Sequence, residues 1–321
     1  MKNIMNVIIV VHTEFGYVNK KNVIFEKRAV DGVKVGVQNI IKIADKYGAK
    51  LTFAVMPEVV DFFPKDIKHE VGLHVHPGWR KVEYKSFTWY VGDKYLLEHC
   101  KTSINSTVLR DYPFKEQVEL IETGRDLLQD KLKVEPKVFV AGRWSENNDT
   151  IKALIKAKFT HDFSPPAHQK ASHFDWSKLP RICMPYHPSD KDYQEKGNLP
   201  LLIVPISQVF PIGSVNPEIA PLVGISWLKA CFLEYYNQSL PLFHICLHSP
   251  SMTDPYFCSV MDELLKFISK YDVEFKFGSE VKSYGETKAR TNIFPYLTHL
   301  NGKTIMLALS TIFERIKTVA Y

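Results

Sequence analysis

The stretch Glu70–Trp79 reads EVGLHVHPGW, and the fold turns on it. Val71, Leu73 and Val75 alternate with Gly72, His74 and His76, the period-two signature of a strand with two unlike faces. His74 and His76 therefore project to the same side. Pro77-Gly78 ends the strand, because proline brings no ladder N–H and glycine accepts turn geometry. Two imidazoles side by side at a strand's carboxyl end suit a metal half-site or an acid/base pair. The competing account is one buried, hydrogen-bonded histidine beside one exposed histidine.

Outward from this stretch, apolar runs recur with the same character. Residues 6–11 (NVIIVV) form a β-branched run suited to a strand buried on both faces. HTEF follows, so His12 and Glu14 fall at the strand's exit with like orientation. Further strands are expected over 50–55, 137–141, 159–163, 201–205, 242–248 and 273–277. Between them, apolar residues at helical spacing predict helices over 30–47, 113–132, 148–157, 224–236 and 256–271. Asn148 or Asp149 is expected to cap the third of these. Residues 79–112 read as a loop insertion beside the site, and 164–200 as a long loop.

Alternating β and α elements argue for a parallel sheet, and about eight strands fit a closed or nearly closed α/β barrel. Reactive groups in that architecture gather at the carboxyl ends of strands. The strand ends here offer His12/Glu14, His74/His76, Arg143/Trp144, His161/Asp162 and His248. His161 and His244, on strand bodies, read as core histidines, and His168, His173 and His187 as solvated loop histidines, one of which a loop over the mouth could lend to substrate.

A chain of 321 residues, 45% apolar and 24% charged, is ordinary for a globular protein with ample core. The net charge of +6 forms no basic tract with interleaved aromatics, so no nucleic-acid footprint is expected. Five widely spaced cysteines, odd in number and without CxxC, favour a reducing cytoplasm. The apolar run 7–11 is too short for a signal-peptide core, and no segment approaches the ~20 apolar residues of a membrane span. Residues 1–285 are expected to form the barrel and 286–321 a carboxyl-terminal extension. In the extension Ile305, Leu309, Ile312, Phe313 and Ile316 form an apolar helical stripe. Packing against the barrel is its plain reading. Its functional reading is peripheral contact with the inner face of the membrane, or a homo-oligomer contact.

Several strings taken together carry a resemblance. VVHTEF lies at the first strand, HEVGLHVHPGW at the third and FVAGRWSENNDTIKALIKAKFTHDFS in the middle. FDWSKLPRICMPYHPSDKD with GNLPLLIVPIS, and finally FHICLHSPSMTDPYF, follow. In this order the chain resembles the polysaccharide deacetylases, the NodB-like carbohydrate esterases, in the branch with a D-T-E-like first motif. The resemblance spans roughly residues 5–280. It implies a (β/α) barrel of seven or eight mostly parallel strands, of the glycoside hydrolase/deacetylase type. It also implies metal-dependent removal of acetyl groups from N-acetylated sugars.

By this resemblance His74 matches the family's first metal-binding histidine. The usual partner lies four positions later, where this chain has Gly78, so His76 is the substitute. Glu14 completes a His/His/carboxylate set for a divalent metal, zinc foremost. His12 stands where the family has its aspartate base, and is read as base or further ligand. His248 matches the histidine that protonates the leaving amine. Arg143 and Asp162 fall in strings whose charged groups orient the base and line the groove, and Val140 stands where relatives often carry arginine. Leu247, with Ile245, is placed to enclose an acetyl methyl. Read from the residues alone, Trp79, Trp144 and Trp176 are candidates to stack on a sugar ring, with ordinary packing as the competing account. The expected activity is N-deacetylation of a sugar in a surface-polysaccharide precursor. The alternatives are a silent barrel that binds glycan or a partner, and an amidohydrolase-like enzyme on a non-sugar amide.

Overall fold

The computed structural model of the chain describes residues 4–26, 29–84, 87–211, 213–285 and 289–307, with backbone alone at 79–84 and 87–91. Eight strands form one parallel sheet: β1 (Met5–Thr13), β2 (Thr52–Val55), β3 (Glu70–Val75), β4 (Val138–Ala141), β5 (His161–Asp162), β6 (Leu202–Ile203), β7 (Leu242–His248) and β8 (Val273–Lys276). Their spatial order is β6-β5-β4-β3-β2-β1-β7, with β8 against the first half of β1. The sheet curls into a (β/α) barrel whose one gap lies between β6 and β7. Backbone following β6 spans that gap. Ser207 N–H donates to His244 O (3.2 Å) and Cys246 N–H to Val215 O (3.1 Å).

Helices α1 (Val37–Asp45), α2 (Phe114–Leu132), α3 (Asn148–Lys156), α4 (Ile225–Asn237) and α5 (Pro255–Ile268) alternate with the strands. Val7 to Val11 of β1 are fully buried, as expected of a central strand covered on both faces. Strands and helices fall within a few residues of the sequence expectation, except that the first helix opens as a π-helical turn, Gly32–Gly36, before α1. The helix cap differs. Asn147, not Asn148 or Asp149, caps α3: its side chain accepts the Thr150 N–H (2.9 Å), and Thr150 Oγ1 accepts the Asn147 N–H (3.2 Å). Residues 79–112 are also more regular than a loop. They hold an antiparallel hairpin (Trp79–Tyr84 with Phe87–Gly92) and the helix Lys94–His99, whose aromatic and β-branched content suits paired strands.

The segment after β8 is strapped to the barrel by polar contacts. Tyr296 Oη donates to Glu234 Oε2 on α4 (2.9 Å) and accepts from Phe210 N–H (3.1 Å). Asn301 Nδ2 donates to Val223 O (3.0 Å) and Ser226 Oγ (2.8 Å). Residues 302–307 are helical, with Ile305 and Met306 exposed. Leu309, Ile312, Phe313 and Ile316 lie outside the described residues. Among the described residues no helix is long and apolar enough to cross a membrane.

Glu234 is fully buried and pairs with Arg181, whose Nη1 also donates to Gln208 O (2.8 Å); Glu234 Oε1 accepts the Asn292 N–H (2.8 Å). One ion pair thus joins the long loop, α4 and the carboxyl-terminal strap. Arg181→Met strands the carboxylate without its cation, which costs about 3–5 kcal/mol. Urea unfolding is expected to show a lower midpoint with an unchanged slope.

Candidate metal centre

Parallel neighbours in register deliver the site. His12 on β1 stands directly across from His248 on β7, and His74 lies on β3 with His76 just beyond it. Glu14 follows β1 by one residue. All five line a cavity of about 280 Å3 at the carboxyl mouth of the barrel. Ring centroids lie 4.9 Å apart for His12 and His74, 4.9 Å for His12 and His248, and 4.6 Å for His74 and His76.

Three ring nitrogens converge on one carboxylate oxygen. Glu14 Oε1 lies 3.1 Å from His74 Nε2, 3.7 Å from His76 Nε2 and 4.0 Å from His248 Nε2. His74 Nδ1 lies 3.0 Å from Val140 O, and a carbonyl only accepts, so Nδ1 carries a proton. The Nε2 facing Glu14 is then either a second N–H or a lone pair, and a lone pair needs a cation between it and the carboxylate. Anchoring of the far nitrogen on a carbonyl is the usual habit of a metal-ligating histidine. Donor atoms of Glu14, His74 and His76 lie within 4.8 Å of one another, as do those of His12, Glu14 and His248. His12 Nε2 and His76 Nδ1 are buried without a hydrogen-bond partner. Two imidazoles and a carboxylate with an open side fit a divalent ion such as zinc.

Two glycines decide which histidines reach the centre. A Cβ on Gly142 would lie 2.5 Å from the His76 ring, so only hydrogen leaves the imidazole its place. Gly78 has φ +72°, and a Cβ there would lie 2.2 Å from Ser106 O. The position where the resemblance puts the second histidine thus has neither the backbone nor the room for one. His76, on the same strand face as His74, brings an imidazole to the cavity instead.

Burial and neighbours set the charges. Burial, with His74 and His248 adding to it, holds the His12 pKa well below the ordinary histidine value. Burial would raise Glu14, but His76 and His74 outweigh it and hold the carboxyl well below the usual range. For His248 burial again disfavours charge, yet the Glu218 carboxylate, 3.4 Å from Nδ1, raises its pKa. The same Glu218 Oε1 accepts the His248 N–H (2.9 Å) and the Ser251 hydroxyl (2.6 Å), which fixes it in place.

Among solved structures the chain is similar to a "putative polysaccharide deacetylase" from Mycobacterium smegmatis. The match is 14% identical over 87% of this chain and 89% of that one, with a TM-score of 0.57. A probable polysaccharide deacetylase from Pseudomonas aeruginosa PAO1 matches at 13% identity over 86% and 89%, TM-score 0.55. The fold is that of the polysaccharide deacetylases. A Puue allantoinase shares it at 14% identity over 87% and 89%, TM-score 0.54. No protein-family model and no curated protein matches the chain.

On this deacetylase fold the residues singled out in the sequence part company. Arg143 and Trp144 line the cavity, both at left-handed φ (+56° and +55°), and Arg143 Nη1 donates to Thr107 Oγ1 (2.9 Å). Trp176 does not line it: fully buried, it donates its indole N–H to Trp144 O (2.9 Å) and supports the wall from behind. Leu247 is also absent from the wall, because alternation turns it away from the face that carries His248. Asp162 is fully buried beside Ser164, off the cavity. The side chain of Trp79 lies outside the described residues. Of the loop histidines, His173 is the one that reaches the cavity, in place of its solvated reading, and burial with Arg143 and Arg110 pushes its pKa down to about 4.

Glu218 is the residue that sequence reasoning missed. It sits in the turn Pro217–Ile219, which Asn216 caps by accepting the Ile219 N–H (3.0 Å). Asn-Pro-Glu signals a helix start, but nothing local aims the carboxylate at a histidine thirty residues on. Val23 and Phe25, from the hairpin Tyr17–Asn19/Asn22–Ile24 and its exit, close one side of the cavity. Gly142→Ala is expected to weaken zinc binding about 10- to 100-fold by displacing His76. Competition titration against a chromophoric chelator measures it, with circular dichroism confirming an intact fold.

Proposed function

We propose that the chain is a divalent-metal-dependent hydrolase that removes N-acetyl groups from a sugar of a surface-polysaccharide precursor. The observation that carries this reading is the 3.1 Å approach of His74 Nε2 to Glu14, with Nδ1 anchored on Val140 O. Beside it stand two further histidines of unlike basicity, one lowered and one raised. Amide hydrolysis needs such a pair, a base for water and an acid for the departing nitrogen. A divalent ion held by Glu14, His74 and His76 would polarise the acetyl carbonyl and lower the pKa of water toward ~7.

His12, with its buried and unpartnered Nε2, takes the proton from the attacking water. His248, held by Glu218, gives a proton to the nitrogen as the C–N bond breaks, leaving acetate and a free amine. Trp144 offers an aromatic face for a sugar ring. A cavity of about 280 Å3 takes a single small group rather than a length of polymer. The odd cysteine count supports a cytoplasmic setting and hence a precursor rather than finished polymer. The apolar side of the cavity, Val23, Phe25 and Ile219, favours a second reading, hydrolysis of a non-sugar amide. A panel of amides without sugar separates the two. A silent glycan-binding barrel is excluded by any acetate release.

Purified protein is expected to hold zinc and to release acetate from N-acetylated sugar nucleotides. His74→Ala should lose the metal and at least about 100-fold in rate. Metal-replete protein without release refutes the reading. The pH profile carries a sign. kcat/KM should rise on an acid limb below pH 6.5, set by His12, and fall on an alkaline limb above 6.5, set by His248. Glu218→Gln removes what raises His248, so the alkaline limb moves to lower pH. An unmoved limb removes His248 from the acid role.

The exposed Ile305 and Met306 support membrane contact or self-association through 303–321. Deleting residues from 304 onward is expected to reduce vesicle co-sedimentation or oligomer mass while circular dichroism stays unchanged. Aggregation of the truncated chain would place the stripe in the core instead.

A further inference from the structure

Behind the cavity lies a cluster that the proposed chemistry does not use. Glu146, Asp162 and Ser164 are each at most 1% exposed. Ser164 Oγ lies 2.8 Å from Ala141 N, 2.7 Å from Glu146 Oε1 and 2.5 Å from Asp162 Oδ1. Asp162 Oδ1 also accepts the Ser164 N–H (3.0 Å). A hydroxyl has one hydrogen to give and two lone pairs to receive. Both carboxylate contacts are of the length of a hydroxyl donating to an ionised carboxylate, and only one of them can receive its hydrogen. With the hydrogen given to Asp162, Ser164 Oγ accepts from Ala141 N–H and has one lone pair left for Glu146. That contact is a hydrogen bond only if Glu146 is the donor.

Ser164 can give its hydrogen to only one carboxylate, so the other carries a proton; with Asp162 ionised, Glu146 O–H donates to Ser164, Ser164 O–H to Asp162 and Ala141 N–H to Ser164. Electrostatics agrees. Burial, the Asp162 charge and a direct hydrogen bond to Asp162 push Glu146 well above the carboxyl range; burial raises Asp162 too, with its hydrogen bonds from Ser164 and Glu146 acting against the rise. The phenol of Tyr186 feels both carboxyls and that of Tyr193 feels Glu146; both are raised, chiefly by burial, so they remain neutral.

The cluster grips the chain where the metal-binding histidines rest. Val140 O receives His74 Nδ1–H, and Gly142 lies against the His76 ring; Ala141, between them, is what Ser164 holds. Arg143 and Trp144 then take left-handed backbone, which is strained for residues with side chains and needs outside restraint. Glu146 closes this turn on its far side. Ser164 thus joins the residue before the turn to the residue after it.

We infer that Glu146, Ser164 and Asp162 form a proton-locked clamp across the neck of the 142–145 turn, positioning His74 and His76, with Glu146 holding the proton. The inference rests on the metal-centre reading for its consequence but not for its hydrogen bonds. In metal-free protein at neutral pH, difference infrared spectra should show a protonated-carboxyl C=O band that Glu146→Gln removes and Asp162→Asn retains. The hydrogen-bonded His74 Nδ1–H resonance should persist in Glu146→Gln, whose amide still donates, and shift or vanish in Ser164→Ala. Zinc affinity should stay within about threefold in Glu146→Gln and fall about 10- to 100-fold in Ser164→Ala.

Should Ser164→Ala not fold, Glu146→Met, which keeps volume and removes the donor, is judged by the same resonance and titration. No band in wild type, or a band that survives Glu146→Gln, overturns the proton assignment. An unaltered His74 resonance together with unaltered zinc affinity in the donor-less variant overturns the positioning role. Wild type that binds no zinc sinks the metal reading alone, since band and resonance still judge the clamp.

Discussion

One ionised carboxylate buried among imidazoles is the constraint on which the rest of the mouth depends. Glu14 is held below the carboxyl range against its own burial, and only the nearby histidines make that affordable. The arrangement is reciprocal: Glu14 gives His74, His76 and His248 a common focus within 3.1 to 4.0 Å. Without the carboxylate, those imidazoles would be polar groups buried around nothing. Its charge also separates the two histidines left over. His12, with no carboxylate hydrogen-bonded to it, is pushed down by burial, whereas His248, with Glu218 behind it, is held up.

Rigidity at this centre comes from backbone more than from side chains. His74 is oriented by a carbonyl of the adjacent strand and His76 by a glycine that leaves only hydrogen against its ring. Both belong to residues 140–142, where β4 passes into the following turn, so one strand end sets both histidines. The strained turn beyond it brings Arg143 and Trp144 to the cavity, and the buried acid pair lies across its neck. Trp176, far from a sugar platform, ties the same turn to the long loop through Trp144 O.

Much of this was legible in the chain itself. The period-two pattern in EVGLHVHPGW put His74 and His76 on one face, and β-branched runs marked the central strands, because alternation and burial on both faces are local properties. The same rule, applied to LFHICLH, turns Leu247 away once His248 faces the mouth; its expected role overlooked that alternation. Asp162 sits at a strand end as the pattern said. Its partner Glu146 lies sixteen residues away across a turn with two left-handed residues, a conformation no propensity would assign to Arg-Trp.

By itself the sequence determined the strand and helix succession, the parallel barrel and the faces on which His12, Glu14, His74, His76 and His248 stand. Periodicity follows from backbone geometry, and parallel register carries each face to the same end of the barrel. Only the tertiary structure decided which of these groups meet, that Glu218 stands behind His248, and that position 78 has no room for a histidine. Those outcomes depend on separations of a few ångström between segments distant in the chain. A left-handed backbone at Gly78 and the carbonyl of Ser106 across from it are a joint condition, and no single stretch contains both.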